Sequence, residues 1–263
     1  MTTAAVRVAP SPARRGVARR VPELLAVATI LLEIGYPLIR GLGRDVLTVV
    51  TVVVFFLAST AHALVWQGGR WTAVLVATTA GGGLLVEAVG TRTGLPFGHY
   101  SYAHSLGPKI FGVPVVIPLA WTMMSYPALR VARRLGRNPW VRVLVGGWAL
   151  ASWDLFLDPQ MVAAGHWRWS EIGATLPGIP GVPVGNYLGW LLAAVAMMAV
   201  LSTLLPADRE PADDRVPFGL YLWTWASSVL ANFAFFSRPA VAVAGGIGMG
   251  LVAVPLAASL RRR

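Results

Sequence analysis

The chain has 263 residues, of which 56% are hydrophobic and only 13% are charged; soluble domains carry about 25% charged residues, so the composition excludes an ordinary soluble domain and predicts a membrane protein. The net charge of +11 does not indicate a nucleic-acid partner, because the arginines lie in short loops and at the two ends, as is typical of cytoplasmic anchoring. Cysteine is absent, which excludes disulfides, thiolate metal sites and cysteine nucleophiles.

The predicted elements begin with a basic tail and continue as a series of apolar spans. Residues 1–20 carry five arginines and precede no short apolar region with a cleavage site, so we expect a disordered cytoplasmic tail. A bilayer core takes about 20 apolar residues per helix. Runs of this kind occupy 22–39, 45–66, 71–91, 113–133, 140–157, 185–205, 217–236 and 239–260. The sequence therefore predicts an all-α fold, a polytopic transmembrane helix bundle of seven or eight spans, with residues 21–263 as one domain.

The loop charges predict the orientation of this bundle. With the N-terminus in the cytoplasm, the inner segments hold about sixteen Lys and Arg residues and the outer loops about six. We therefore expect a multi-pass protein of the plasma membrane with both termini cytoplasmic. Two long loops, 91–112 and 159–184, fall on the outer side and are rich in Gly, Pro and aromatic residues. Long loops without regular patterning are commonly functional.

Four acidic residues stand out within predicted spans or at their ends, and a charged side chain at the centre of a span costs about 2.5 to 3.5 kcal/mol on insertion scales. They are Glu33, Glu87, Asp154 and Asp158. Asp154 and Asp158 are one helical turn apart and therefore share a face. Because Pro159 follows, we expect the helix to end at Asp158 and water to reach that carboxylate. Each acid also has a purely structural interpretation, in which it only bonds a neighbouring helix.

Aromatic residues surround the acidic ends of the spans. Such residues gather at membrane interfaces without any catalytic role, but a ring face also attracts positive charge. An aromatic pocket with a proton donor is typical of a site that stabilises a carbocation, although the same rings would bind a flat polyene without reaction. The candidates of this kind are Tyr100, Tyr102, Trp121, Trp153, Trp167 and Trp190, with His99 and Asn186 as polar neighbours.

The run DLFLD, Asp154 to Asp158, has a metal-binding alternative. Membrane prenyltransferases of the UbiA type use two aspartate-rich motifs to hold Mg²⁺ and diphosphate. Here the second acidic cluster, Asp213 and Asp214, falls on the opposite predicted side, and only Arg168 lies near the first. We therefore expect no metal site and no cofactor.

Four blocks of sequence resemble a known family. They are EAVGTRTGLPFGHYSY at 87–102, LGPKIFGVPVVIPLAW at 106–121, WDLFLDPQM at 153–161 with HWRW at 166–169, and GIPGVPVGNYLGW at 178–190. Together they resemble the carotenoid biosynthesis membrane proteins that include the CruF-type carotenoid 1,2-hydratases and the bisanhydrobacterioruberin hydratase of C50 carotenoids. The resemblance spans roughly residues 85 to 190, and the outer helices match only in character.

The resemblance implies an enzyme, a hydro-lyase, that adds water to the terminal C=C of an acyclic C40 or C50 carotenoid. Protonation gives a tertiary cation, and water captures it as a tertiary alcohol. This chemistry needs a neutral carboxylic acid, which an apolar site favours, an aromatic face, and a second carboxylate or histidine that guides water. It needs no metal or redox cofactor.

We expect Glu87 or Asp154 to be the proton donor, and Asp158, with His99 or Tyr100, to orient the water. Trp121 and Trp153 are expected to flank the cation. The other expected substrate-binding residues are Glu33, Tyr102, Trp167, Asn186 and Trp190.

Two other classes of function remain open. One is a carotenoid- or isoprenoid-binding membrane carrier without catalysis, and the other is a prenyltransferase or cyclase of the same pathway. The expected partners are the carotenoid, the lipid bilayer and other membrane enzymes of carotenoid biosynthesis, but no nucleic acid.

Overall fold

The structure, a computed structural model, describes residues 12–206 and 213–261. Its helices are α1 Pro12–Gly35, α2 Leu42–Gln67, α3 Gly69–Thr93, α4 Val116–Leu135, α5 Pro139–Ala151, α6 Asp154–Ala163, α7 Val184–Leu204, α8 Arg215–Ala234 and α9 Pro239–Arg261, with a 3₁₀ turn at Tyr36–Leu38. This arrangement confirms the predicted fold class, an all-α transmembrane bundle. Residues 1–11 of the predicted tail lie outside the described residues, and α1 begins at Pro12.

Within the described ranges, six helical segments are long and apolar enough to cross a membrane, with α5 and α6 counted as one segment. The two remaining predicted spans correspond to α4 and α8. Sixteen of the 20 residues of α4 are buried, so other helices shield it from lipid. A helix in that position needs no apolar outer face, and α4 accordingly carries a buried arginine, Arg130.

The fifth predicted span is broken into α5 and α6 at Ser152 and Trp153. The predicted helix end at Asp158 was wrong, because α6 continues through Pro159 to Ala163. A proline removes one helix hydrogen bond, and close packing against α9 holds α6 together across it. Gly245 and Gly248 of α9 lie directly against the side chains of α6. As a result Asp158 is only 2% exposed and does not sit in an open mouth.

The two long loops are ordered and paired with each other. They contain the strands β1 Tyr100–Tyr102, β2 Lys109–Ile110, β3 Val113–Pro114, β4 Trp167–Trp169, β5 Thr175–Leu176 and β6 Ile179–Pro183. Strand β1 runs antiparallel to β4, with Tyr100 opposite Trp169 and Tyr102 opposite Trp167, while β2 pairs with β3 and β5 with β6. This pairing joins the end of α3 to the end of α6, and we call this end of the bundle the loop side.

The opposite end of the bundle has its own polar network. Arg130 donates to both carboxylate oxygens of Asp214, at 2.7 and 2.9 Å. His62 lies 2.7 Å from the Tyr126 hydroxyl and 2.8 Å from the backbone carbonyl of Asp213. The second acidic cluster of the sequence is therefore held near the C-terminal half of α4, away from the loop side.

Candidate active site

The acids of α3 and α6 meet at one cavity on the loop side. The cavity has a volume of about 180 Å³ and is lined by Glu87 and Asp158. Aromatic side chains form much of its wall: Phe97, Tyr100, Tyr102, Trp121, Trp153, Phe156, Trp167, Trp169 and Trp190. Asp154 is fully buried and does not belong to this lining. The arrangement therefore places carboxyl groups from two helices around one ring-walled space.

Glu87 is held by three side-chain donors. The hydroxyls of Tyr100 and Tyr102 both donate to Oε2, the latter at 2.7 Å, and the Trp121 indole N–H donates to Oε1 at 3.0 Å. Burial, together with the adjacent Glu87, raises the pKa of both tyrosine hydroxyls well above the usual value, so they keep their protons. Three hydrogen bonds to one carboxylate favour its charged form, whereas burial of the group, which is 3% exposed, favours the neutral acid.

Asp154 and Asp158 form a pair bridged by one amide. The side-chain nitrogen of Asn186 donates to Oδ2 of Asp154 at 3.0 Å and also to Oδ2 of Asp158. The indole N–H of Trp167 donates to Oδ1 of Asp158 at 3.0 Å. Oδ1 of Asp154 is buried and has no hydrogen-bond partner among the described residues. Two adjacent carboxylates in an apolar site cannot both be charged at low cost, so the pair is suited to holding a proton.

Local structure explains why these side chains converge. Asp154 and Asp158 are one turn apart on α6 and face the same way. Alternate residues of a strand point to one side, which directs both Tyr100 and Tyr102 of β1 to Glu87. Asn186 lies in the first turn of α7, which follows β6 directly, and from there its side chain reaches both aspartates.

A tryptophan stack connects the two acidic groups. Trp121 and Trp190 lie with ring centroids 4.4 Å apart and planes within 2° of parallel. Trp153 meets Trp190 edge-on, with centroids 6.3 Å apart. Trp121 also bonds Glu87, and Trp190 is one turn beyond Asn186 on α7. The site thus combines an acid pair, a carboxylate held by three donors and an aromatic wall, which together suit protonation of an alkene and stabilisation of the resulting cation.

Two candidates from the sequence lie elsewhere. His99 is exposed, its ring lies against Gly94, and its carbonyl accepts from the backbone N–H of Ser170 at 2.9 Å. It does not line the cavity, so the geometry gives its expected role in guiding water no support. Glu33 does line the cavity, as do Tyr36 and hydroxyl groups of α2 and α8.

The sequence analysis did not single out Phe97 and Trp169. Phe97 is 2% exposed, and its carbonyl accepts from the Trp169 indole N–H at 2.8 Å, so these two residues fasten the α3–α4 loop to β4 beside the cavity. The sequence feature that could have indicated them is their position in the same two aromatic loops as Tyr100, Tyr102 and Trp167. That signal does not separate them from ordinary interfacial aromatics.

The position of Trp121 depends on Gly83 of α3. A Cβ at residue 83 would lie 2.5 Å from Cγ of Trp121, so we expect Gly83→Ala to push this ring off Glu87 and Trp190. Overpacking of this kind costs about 1–3 kcal/mol, and the midpoint of thermal unfolding in detergent should fall. Gly81→Ala on the same helix is the matched control, because a Cβ there meets no described atom within 4 Å. An unchanged midpoint for Gly83→Ala would contradict the tight packing.

Comparison with known proteins identifies the family. A family model described as carotenoid biosynthesis protein matches residues 46–253. The bisanhydrobacterioruberin hydratase of Haloarcula japonica is 34% identical over 177 residues, which make up 61% of this chain and 57% of that protein. The match thus spans little more than half of the curated relative. No solved structure matches the chain. The predicted family is confirmed: the chain belongs to the carotenoid biosynthesis protein family.

Proposed function

We propose that this protein is a carotenoid hydratase, which adds water to the terminal C=C of an acyclic carotenoid end and leaves a tertiary alcohol. The family and the printed name of the relative from Haloarcula support a hydratase. The observation that carries the proposal is the buried Asp154–Asp158 pair beside a ring-walled cavity. A pair of carboxyl groups that holds one proton is the acid this reaction needs.

The proton donor in this proposal is Asp158. Asp158 lines the cavity, whereas Asp154 lies behind it and acts as a positioning residue that shares the amide of Asn186. The sequence analysis favoured Asp154 or Glu87 as the donor. Asp154 does not line the space where substrate would lie, and three donors favour the charged form of Glu87. Asp158 therefore meets the requirements for a proton donor better than either of them.

The reaction then proceeds in two steps. The proton of Asp158 goes to the less substituted carbon of the terminal C=C, and a tertiary cation forms on the other carbon. The aromatic wall and the negative charge of Glu87 stabilise this cation. A water oxygen bonds the cationic carbon, and the proton that it releases returns to the aspartate pair, so one water is added and the acid is restored.

The cavity holds only one end of the substrate. An apolar cavity of about 150 Å³ accommodates benzene, and this cavity measures about 180 Å³. The terminal group of a carotenoid fits such a space, and the remaining polyene extends into the bilayer. The same site therefore accepts a C40 or a C50 chain. We assign the protein to the plasma membrane, with cytoplasmic termini, the loop side outward, and other membrane enzymes of the pathway as its suppliers.

The decisive experiment uses purified protein in detergent, an acyclic carotenoid and H₂¹⁸O. We expect a product heavier by one labelled water, with ¹⁸O in a tertiary hydroxyl group. Protein inactivated by heat is the control. A carrier would bind the carotenoid and leave its mass unchanged, a cyclase would rearrange it without a mass change, and a prenyltransferase would add an isoprene unit. Any of these three results would contradict the proposal.

A further inference from the structure

The cavity has a second polar end that the mechanism above does not use. It consists of polar residues that lie on or next to α1, α2 and α8, helices that are otherwise largely apolar. They are Glu33 in the last turn of α1, Tyr36 just after that helix, Thr48 and Thr51 on α2, and Thr224, Ser227 and Ser228 on α8. We call this set the hydroxyl end.

Helical spacing directs these groups into the cavity. Four residues of α2 line the cavity: Thr48, Thr51, Val52 and Phe55. The last three follow Thr48 at intervals of three, four and seven residues. Side chains at those intervals share one helix face. The hydroxyl groups of α8 have the same spacing. Polar groups on these two helices therefore face each other across the cavity and not the lipid.

Thr51 gives the clearest sign of an occupant. Its side chain is 9% exposed, and its hydroxyl has no hydrogen-bond partner within the described part of the chain. In contrast, the hydroxyl of Thr48 donates to the carbonyl of Arg44 at 2.9 Å, and that of Thr224 donates to Leu220 at 2.8 Å. A buried hydroxyl without a protein partner, in a polar and roomy site, is where ordered water is found.

The hydroxyl end is less enclosed than the acid end. Glu33 is partly exposed and lies in the last turn of α1, two residues before this helix ends at Gly35. The acid end is closed by comparison: Glu87 is 3% and Asp158 is 2% exposed.

We propose that the hydroxyl end is the water inlet of the enzyme, which holds and delivers the water that captures the cation. This inference rests on the proposed hydratase function. The cation has two fates: a water oxygen bonds to it, or it loses a proton to the aspartate pair and returns to the alkene. When the donor pair carries deuterium, the second fate leaves deuterium in recovered carotenoid each time the cation loses its original hydrogen and keeps the deuteron that was added. The ratio of hydrated product to deuterated alkene therefore measures water delivery separately from protonation.

The test is a single-turnover reaction with excess enzyme that has been equilibrated in D₂O. Thr51→Val combined with Ser228→Ala removes two hydroxyl groups of the inlet with little change of shape. We expect the ratio of hydrated to deuterated carotenoid to fall about tenfold, the size of one lost hydrogen bond to the reacting water. Thr60→Val is the matched control on α2 and should keep the wild-type ratio. Among the described residues, the Thr60 hydroxyl bonds only carbonyls of its own helix.

The outcomes separate the two proposals. Wild-type protein that neither hydrates nor deuterates the carotenoid overturns the hydratase function itself. Wild-type hydration with an unchanged ratio in the double variant overturns the inlet alone. If the double variant loses both reactions, Ser227→Ala becomes the deciding variant: a lowered ratio supports the inlet, and a wild-type ratio excludes it.

Discussion

Asp158→Asn is expected to lower the rate of carotenoid hydration by about 10²–10⁴-fold, the range for loss of a general acid. The amide has the shape of the carboxyl group and its oxygen can still accept from Trp167, so the fold should persist. It has no acidic proton for the alkene, so the reaction stops before the cation forms. The measurement is the amount of tertiary alcohol formed per amount of folded protein, by chromatography and mass spectrometry.

The matched control for this change is Glu171→Gln. Glu171 is an exposed acid in the α6–α7 loop and lies outside the cavity lining, so its amide should retain the wild-type rate. Deuterium exchange supplies a second readout, because Asp158→Asn removes protonation itself and should abolish exchange together with hydration. A wild-type rate for Asp158→Asn would exclude this residue as the donor.

The sequence predicts the membrane spans well because the bilayer imposes a length and a composition on each of them. The acids stand out for the same reason, since an ionisable group within an apolar run is costly. Glu87, Asp154 and Asp158 could therefore be chosen as candidates before any contact was known. Of the two helices with the least typical spans, α4 and α8, the first is shielded by its neighbours in the bundle and is not required to be uniformly apolar.

The contacts between these candidates are harder to predict. The pairing of β1 with β4 joins two three-residue strands whose partner residues lie 65 or more positions apart in the chain. Segments so short carry little local signal of their partner. The prediction that the helix ends before Pro159 was wrong, because the packing of α6 against α9 compensates for the one hydrogen bond that the proline removes. The hydroxyl groups of α2 follow a helical stripe, but Ser and Thr in helices commonly bond the preceding turn, so the stripe alone indicates no site.

Glu87→Gln is expected to lower the hydration rate by about 10²–10³-fold, as for removal of a preorganised group that stabilises developing charge. The glutamine has no negative charge to place beside the cation. It also presents an amide N–H₂ to at least one of the donors that now bond Glu87, from Tyr100, Tyr102 and Trp121. The tertiary alcohol is measured as for Asp158, and Tyr102→Phe, which removes one donor and keeps the charge, should lose much less activity.

A cationic analogue separates the role of Glu87 from that of the proton donor. A carotenoid end with a tertiary ammonium group at the cationic carbon resembles the charge of the intermediate, and an enzyme binds such a mimic through the interactions that stabilise its transition state. We expect Glu87→Gln to weaken inhibition by this analogue in parallel with the loss of rate. Tyr102→Phe should leave inhibition almost unchanged, because it removes one donor to Glu87 and keeps the carboxylate charge that the ammonium group meets. Equal inhibition of wild-type protein and Glu87→Gln would mean that the carboxylate serves only to anchor the two tyrosines and Trp121.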